Sequence, residues 1–100
     1  MKYLLIDDIR TFDVDKIART AEEGKKELST KQYDVVTLDH DLGNGETGYD
    51  VLCWAIENNC LPKKVILCSM NPIGKKAMAN KLRDIGYTSR TSVSSYFVKK

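Results

Sequence analysis

The sequence predicts a single α/β domain, residues 1–100, built from a three- to four-stranded, mainly parallel sheet and three helices. Three observations lead there. Short apolar runs at Lys2–Ile6, Tyr33–Leu38 and Lys64–Cys68 have strand length and read as strands covered on both faces. Stretches of helical spacing separate them, and such alternation favours parallel strands joined by right-handed crossovers. A chain of 100 residues, 42% hydrophobic and 30% charged, supports one such core and little else.

The first run ends at Asp7 and Asp8, with Arg10 two residues on. Acids there can hold a divalent cation and the arginine can fork onto a phosphate, although the same residues suit a plain surface turn with an Asp–Arg ion pair. From Val14 to Ser29, the residues Val14, Ile17, Ala18, Ala21 and Leu28 recur at helical spacing. Asp13 would cap that helix, and Gly24 weakens it. The second strand carries β-branched Val35, Val36 and Thr37 and ends in Asp39, His40 and Asp41. Gly43, Gly45 and Gly48 follow, a turn whose backbone N–H groups and helix N-terminus can face an anion. The plainer reading is a strand-to-helix loop whose acids cap the helix.

Tyr49, Leu52, Cys53 and Ile56 trace one face of the second helix, broadened by Trp54 and Ala55 and ended by Asn58, Asn59 and Pro62. The third strand stops at Ser69 and Asn71. Asn71–Pro72 reads as an N-cap and first helical residue, opening a helix that runs to Ile85 and halts at Gly86. Beyond Tyr87 the polar, β-prone tail forms either a short last strand near Val93–Val98 or a loop over the mouth of the site. Order 2-1-3 of the three strands places Asp7 and Asp8 at a topological switch point. Order 1-2-3 stacks the helices on one face and leaves an apolar one.

Composition narrows the function. A net charge of +2 and dispersed lysine pairs do not make a nucleic-acid scaffold. No apolar run reaches the length of a membrane span, and the start MKYLLIDD is broken by aspartates as no signal peptide is. Cys53, Cys60 and Cys68, odd in number and without a CxxC pair, suit reduced thiols of a cytoplasmic protein rather than disulfides or zinc. The loop Asp39–Asp50 is not a calcium loop, because Asn44 stands where glycine is needed and Asp50 where a bidentate Glu belongs.

Parallel strands bring their carboxyl ends to one edge. Asp7, Asp8, Arg10, Asp39, His40, Asp41, Ser69 and Asn71 are therefore expected to converge. Asp7, Asp8 and Asp39 would hold a divalent cation, with Mg²⁺ the natural choice beside a phosphate. His40, the single histidine, would move a proton near neutrality, with Asp39 and Asp41 in the same catalytic group. Arg10, Ser69 and Asn71 would bind phosphate.

A strand ending in Asp7–Asp8, a second in Asp39 and a third in Ser69 resembles the flavodoxin-like receiver domains of two-component signalling. That resemblance implies a Mg²⁺ site at the acids, Asp39 as phosphoryl acceptor and Ser69 as its hydroxyl contact. The chain is shorter by about one strand–helix unit and lacks a lysine after a clear fifth strand, so the fold would be reduced. A closer resemblance is to the cyclic-phosphate processing receiver domains. It is carried by Asp7–Asp8–Ile9–Arg10, by Asp39–His40–Asp41–Leu42–Gly43 with Thr47–Gly48–Tyr49–Asp50, and by Cys68–Ser69–Met70–Asn71–Pro72–Ile73–Gly74. This implies opening or hydrolysis of a cyclic phosphate of a nucleotide or RNA end, with histidines as acid and base. Cys68 stands where that family has a second histidine. The alternative is a receiver-like module without catalysis that binds a phosphorylated or nucleotide ligand, or a protein partner.

Overall fold

The computed structural model describes residues 1–43, 45–89 and 95–99. Along the chain run β1 (Tyr3–Ile6), β2 (Lys16–Ala18), α1 (Ala21–Thr30), β3 (Val35–Leu38), α2 (Gly48–Glu57), β4 (Lys64–Leu67), α3 (Pro72–Asp84), β5 (Tyr87–Ser89) and β6 (Tyr96–Lys99). The strands form one sheet in the order β2-β1-β3-β4-β6-β5. β2, β1, β3 and β4 are parallel, whereas β6 runs antiparallel to β4 and to β5. A six-stranded mixed sheet replaces the expected three to four mainly parallel strands, while the three helices stand.

The first extra strand lies inside the segment expected to be helical from Val14. Lys16–Ala18 is too short to show a period of two, and its pairing is decided by the free edge of β1, whose backbone groups need partners. Asp15 N–H donates to Tyr3 O at 3.1 Å and Asp7 N–H to Ala18 O at 3.1 Å. Helix α1 therefore starts later, capped by Thr20 rather than Asp13, with Thr20 Oγ1 accepting from Glu23 N–H. Gly24 is a point of close approach: a Cβ there would lie 2.7 Å from Ile6 Cδ1.

The second surprise is the tail. Residues 93–94 of the expected Val93–Val98 strand lie outside the described residues, and the strand itself is Tyr96–Lys99. It pairs with Tyr87–Ser89, which was not expected to be a strand. Aromatic anchors hold the pair: Phe97 is fully buried, and buried Tyr87 donates its hydroxyl to Pro62 O at 2.6 Å.

The three strands legible in the sequence lie in chain order, β1-β3-β4, and one apolar cluster joins them to all three helices. Leu4, Ile6, Val36, Leu38, Val65 and Leu67 meet Leu28 of α1, Leu52 of α2, and Met78 and Leu82 of α3. Alternation sends Leu5 and Val35, also buried, to the opposite face. Because β2 takes the outer side of β1, the chain leaves β1 one way and returns on the other. A switch point thus opens between β1 and β3.

Candidate functional site

Ile6, Leu38 and Leu67 share one rung of the sheet. Asp7, Asp39 and Cys68, the next residues, therefore stand abreast, one strand spacing of about 4.8 Å apart. The ladder continues through them: Asp39 N–H donates to Ile6 O at 3.0 Å and Cys68 N–H to Leu38 O at 3.1 Å. Asp8 stays with this row, whereas His40 and Ser69, the residues after Asp39 and Cys68, lie at the N-terminal end of α3. Two neighbouring groups result.

The first is an acid cluster. Asp7 and Asp39 are buried, Asp8 is half-buried, and each offers a carboxylate oxygen within 4.8 Å of the others. Asp7 is closely engaged. Its Oδ1 accepts from Ile9 N–H at 3.0 Å and Arg10 N–H at 2.9 Å, forming an Asx-type turn. Its Oδ2 accepts from Arg10 Nη1 at 3.0 Å and faces Cys68 Sγ at 3.6 Å. The same Nη1 lies 3.5 Å from Asp39 Oδ2. Burial works against the Asp7 carboxylate, yet the two N–H donors and the guanidinium outweigh it and hold its pKa below the ordinary value. Asp39 shifts the other way: burial first, then the charge of Asp7, push it up, against Arg10, His40 N–H and the Ser69 hydroxyl. Burial and the neighbouring aspartates raise the Cys68 thiol to about 12.

Arg19, which sequence reading placed anonymously on a helix, ties this loop down. It stands beside Asp7 at the end of β2, and its guanidinium donates to Arg10 O at 2.6 Å, Asp7 O at 3.3 Å and Thr11 Oγ1 at 3.0 Å. No local signal marks it, because β2, which positions it, is decided by pairing with the edge of β1.

The second group gathers at the N-terminus of α3. His40 Nδ1 lies 3.0 Å from Asp41 Oδ1, and this bond chiefly lowers the pKa of the exposed Asp41 carboxyl. Among the described residues no hydrogen bond joins the imidazole to Asp7, Asp8 or Asp39. Asn71 caps α3, its Oδ1 accepting from Gly74 N–H at 3.0 Å, and its Nδ2 reaches Asp41 Oδ1 at 3.5 Å. Ser69 Oγ accepts from Asn71 N–H at 3.0 Å and supports the charged form of Asp39, so it links the two groups. The ring of His40 packs on Gly74, where a Cβ would sit 2.5 Å from Cδ2 and 2.6 Å from Nδ1.

The glycines between β3 and α2 serve the same edge. Leu42 buries in the core while Asp41 and Thr47 form a bridge across the loop, and Gly43 takes a φ of 89°. Thr47 and Asp50 form a reciprocal capping box at the start of α2. Gly48 N–H donates to His40 O at 2.7 Å, and a Cβ on Gly48 would collide with the Asp39 carbonyl. Exposed apolar side chains flank the edge, Ile9 and Phe12 after β1 and Met70 and Ile73 after β4.

Three carboxylates whose oxygens lie within 4.8 Å of one another could hold a divalent cation. With that cluster at the switch point of a β2-β1-β3-β4 sheet, fold and site define a receiver-like α/β domain. The chain belongs to the cyclic-phosphate processing receiver domain family, whose model matches residues 2–84. Two solved structures share the fold. The response regulator MaeR bound to beryllium trifluoride is 23% identical, with a TM-score of 0.58 over 93% of this chain and 88% of that one. A fusion carrying the yeast Spc42 trimeric coiled coil is 20% identical, with a TM-score of 0.60 over 93% of this chain and 70% of that one. No curated protein matches the chain. Among the described residues no helix is long and apolar enough to cross a membrane.

Proposed function

We propose that this domain, residues 1–100, is a receiver-like module that binds a phosphate-bearing ligand, a small nucleotide or an RNA end, along the carboxyl edge of β1, β3 and β4. The observation that carries this is Arg10, a half-buried guanidinium set against two buried carboxylates at the open end of the sheet. Ser69, Asn71 and the first turn of α3 supply further donors for phosphate oxygens. Apolar Ile9, Phe12, Met70 and Ile73 offer a rim for the rest of the ligand. A divalent cation, Mg²⁺ by donor chemistry, would be held by Asp7, Asp8 and Asp39 and would neutralise phosphate charge beside the acids. Three free cysteines fit a cytoplasmic setting, and a protein partner can use the same edge.

A second reading, metal-assisted hydrolysis of a cyclic phosphate, is favoured by one contact. Asp41 holds Nδ1 of His40 and leaves Nε2 for proton transfer. Against it stands Cys68, whose thiol stays protonated at neutral pH and so offers no base in place of the family's second histidine.

One experiment separates the two. The protein is titrated calorimetrically with 2′,3′- and 3′,5′-cyclic nucleotides and their ring-opened monophosphates, with Mg²⁺ or Mn²⁺, while product is followed by chromatography. Binding without product, lost in Arg10→Ala, upholds the module. Product that vanishes in His40→Ala establishes the enzyme. Absence of binding at millimolar ligand overturns both.

A further inference from the structure

The acid cluster already contains a cation. Arg10 Nη1 bridges Asp7 Oδ2 at 3.0 Å and Asp39 Oδ2 at 3.5 Å, and both acids are buried. Asp7 has no oxygen to spare: Oδ1 serves two backbone N–H groups and Oδ2 serves Arg10 and Cys68. A magnesium-sized ion binds carboxylate oxygen at about 2.1 Å. An ion held by Asp7 and Asp39 would compete with the guanidinium for their carboxylates, and two positive charges would crowd a largely buried site.

The Arg10 side chain has a way out. It is 26% exposed, whereas Asp7 is at 0%. Its backbone does not share that freedom, because Arg10 N–H is held by Asp7 Oδ1 and Arg10 O by Arg19 at 2.6 Å. Movement is therefore confined to the side-chain torsions, pivoting on a fixed Cα at the rim.

We propose that Arg10 and a divalent cation exchange for the Asp7–Asp39 pair, so that ion entry turns the guanidinium toward the mouth and presents it to the phosphate of the ligand. The inference rests on the phosphate-binding reading above and adds a coupling to it: ion and phosphate each strengthen the binding of the other through this one side chain. Without the ion, Arg10 neutralises the acids. With it, the planar fork is released to pair with phosphate oxygens.

Mn²⁺ binding, read as free Mn²⁺ by electron paramagnetic resonance, tests the exchange, with inorganic phosphate as second probe and thermal unfolding to verify folding. Arg10→Ala is expected to bind Mn²⁺ about tenfold more tightly than wild type, because no internal cation must leave. Arg10→Lys, which keeps the charge, should stay near the wild-type value. Mn²⁺ should tighten phosphate binding about tenfold in wild type and clearly less in Arg10→Ala, where only the charge of the ion acts. Equal or weaker Mn²⁺ binding by Arg10→Ala overturns the proposal, as does the absence of Mn²⁺ binding by both proteins. Phosphate binding by wild type that is indifferent to Mn²⁺ overturns the exchange while leaving the phosphate-binding module standing.

Discussion

The imidazole of His40 rests on the backbone of Gly74, in the first turn of α3, where no side chain other than hydrogen would fit. This contact explains why a helix of otherwise ordinary composition carries a glycine at its third position. Gly74→Ala would improve helix propensity by about 1 kcal/mol. Overpacking against the ring is expected to outweigh that gain and leave a net loss of about 1–2 kcal/mol. Chemical denaturation measures the sum, and the ring resonances of His40 report the displacement. A stabilised Gly74→Ala protein with unmoved His40 signals would contradict the packing.

Asp7 and Asp39 titrate in opposite directions, which fixes the sign of their pH dependence. Asp7 has a depressed folded value, so its contribution is complete above the unfolded value near 3.9 and is lost as pH falls through the folded one. Asp39 has a raised value, so its contribution is present below about 3.9 and is lost as pH rises through the folded value. Asp39→Asn is expected to stabilise the protein at pH 7 and to raise its Tm there, because the buried charge beside Asp7 is removed. Asp7→Asn should cost about 2–3 kcal/mol, because it removes the charged acceptor of the Ile9 and Arg10 N–H groups and the shorter of the two ion pairs of Arg10. Thermal unfolding from pH 2 to 8 checks both, and a destabilised Asp39→Asn would refute the assignment.

Cys68 should be inert. With its thiol pushed up to about 12, the thiolate at pH 8.5 is roughly a thousandfold scarcer than that of a free cysteine. Brief iodoacetamide treatment followed by peptide mass spectrometry is expected to leave Cys68 unmodified in the native protein and to label it fully in urea. Rapid native labelling would show that burial and the flanking aspartates do not govern this thiol.

Arg19→Ala removes the three hydrogen bonds that pin residues 7–11. Local opening should become easier by about 1–3 kcal/mol, so amide exchange at Ile9 and Arg10 rises about 10–100-fold. Arg19→Lys is expected to restore little, since an ammonium cannot span the three acceptors as a fork does. Unchanged exchange would show that the Asp7 turn holds itself.

Legibility followed the range of the interaction. β1, β3 and β4 announce themselves through unbroken apolar runs, α2 and α3 through their faces, and α3 also through its cap Asn71, whereas the cap of α2 is Thr47 and not an acid. β2 does not, because Ile17 and Ala18 satisfy a helical spacing equally well and only the distant edge of β1 decides. The hairpin of β5 and β6 likewise depends on where Tyr87 and Phe97 find a core. Within the site, the acids at the strand ends were readable, since parallel strands align their carboxyl ends. The pairing of Arg10 with Asp7 was one of the two readings of that turn, since the residues are three apart. The seat of His40 on Gly74 is a tertiary contact and leaves no trace in local pattern.

The common rung on which β1, β3 and β4 finish has a consequence for how such a domain can vary. Removing one residue from any of these segments would swing its terminal acid or thiol into the oily layer under the helices and bring an aliphatic neighbour out in exchange. Changes of length are expected only in loops away from this edge, such as the one between α2 and β4. Inside the strands, letters can be replaced but not added or dropped.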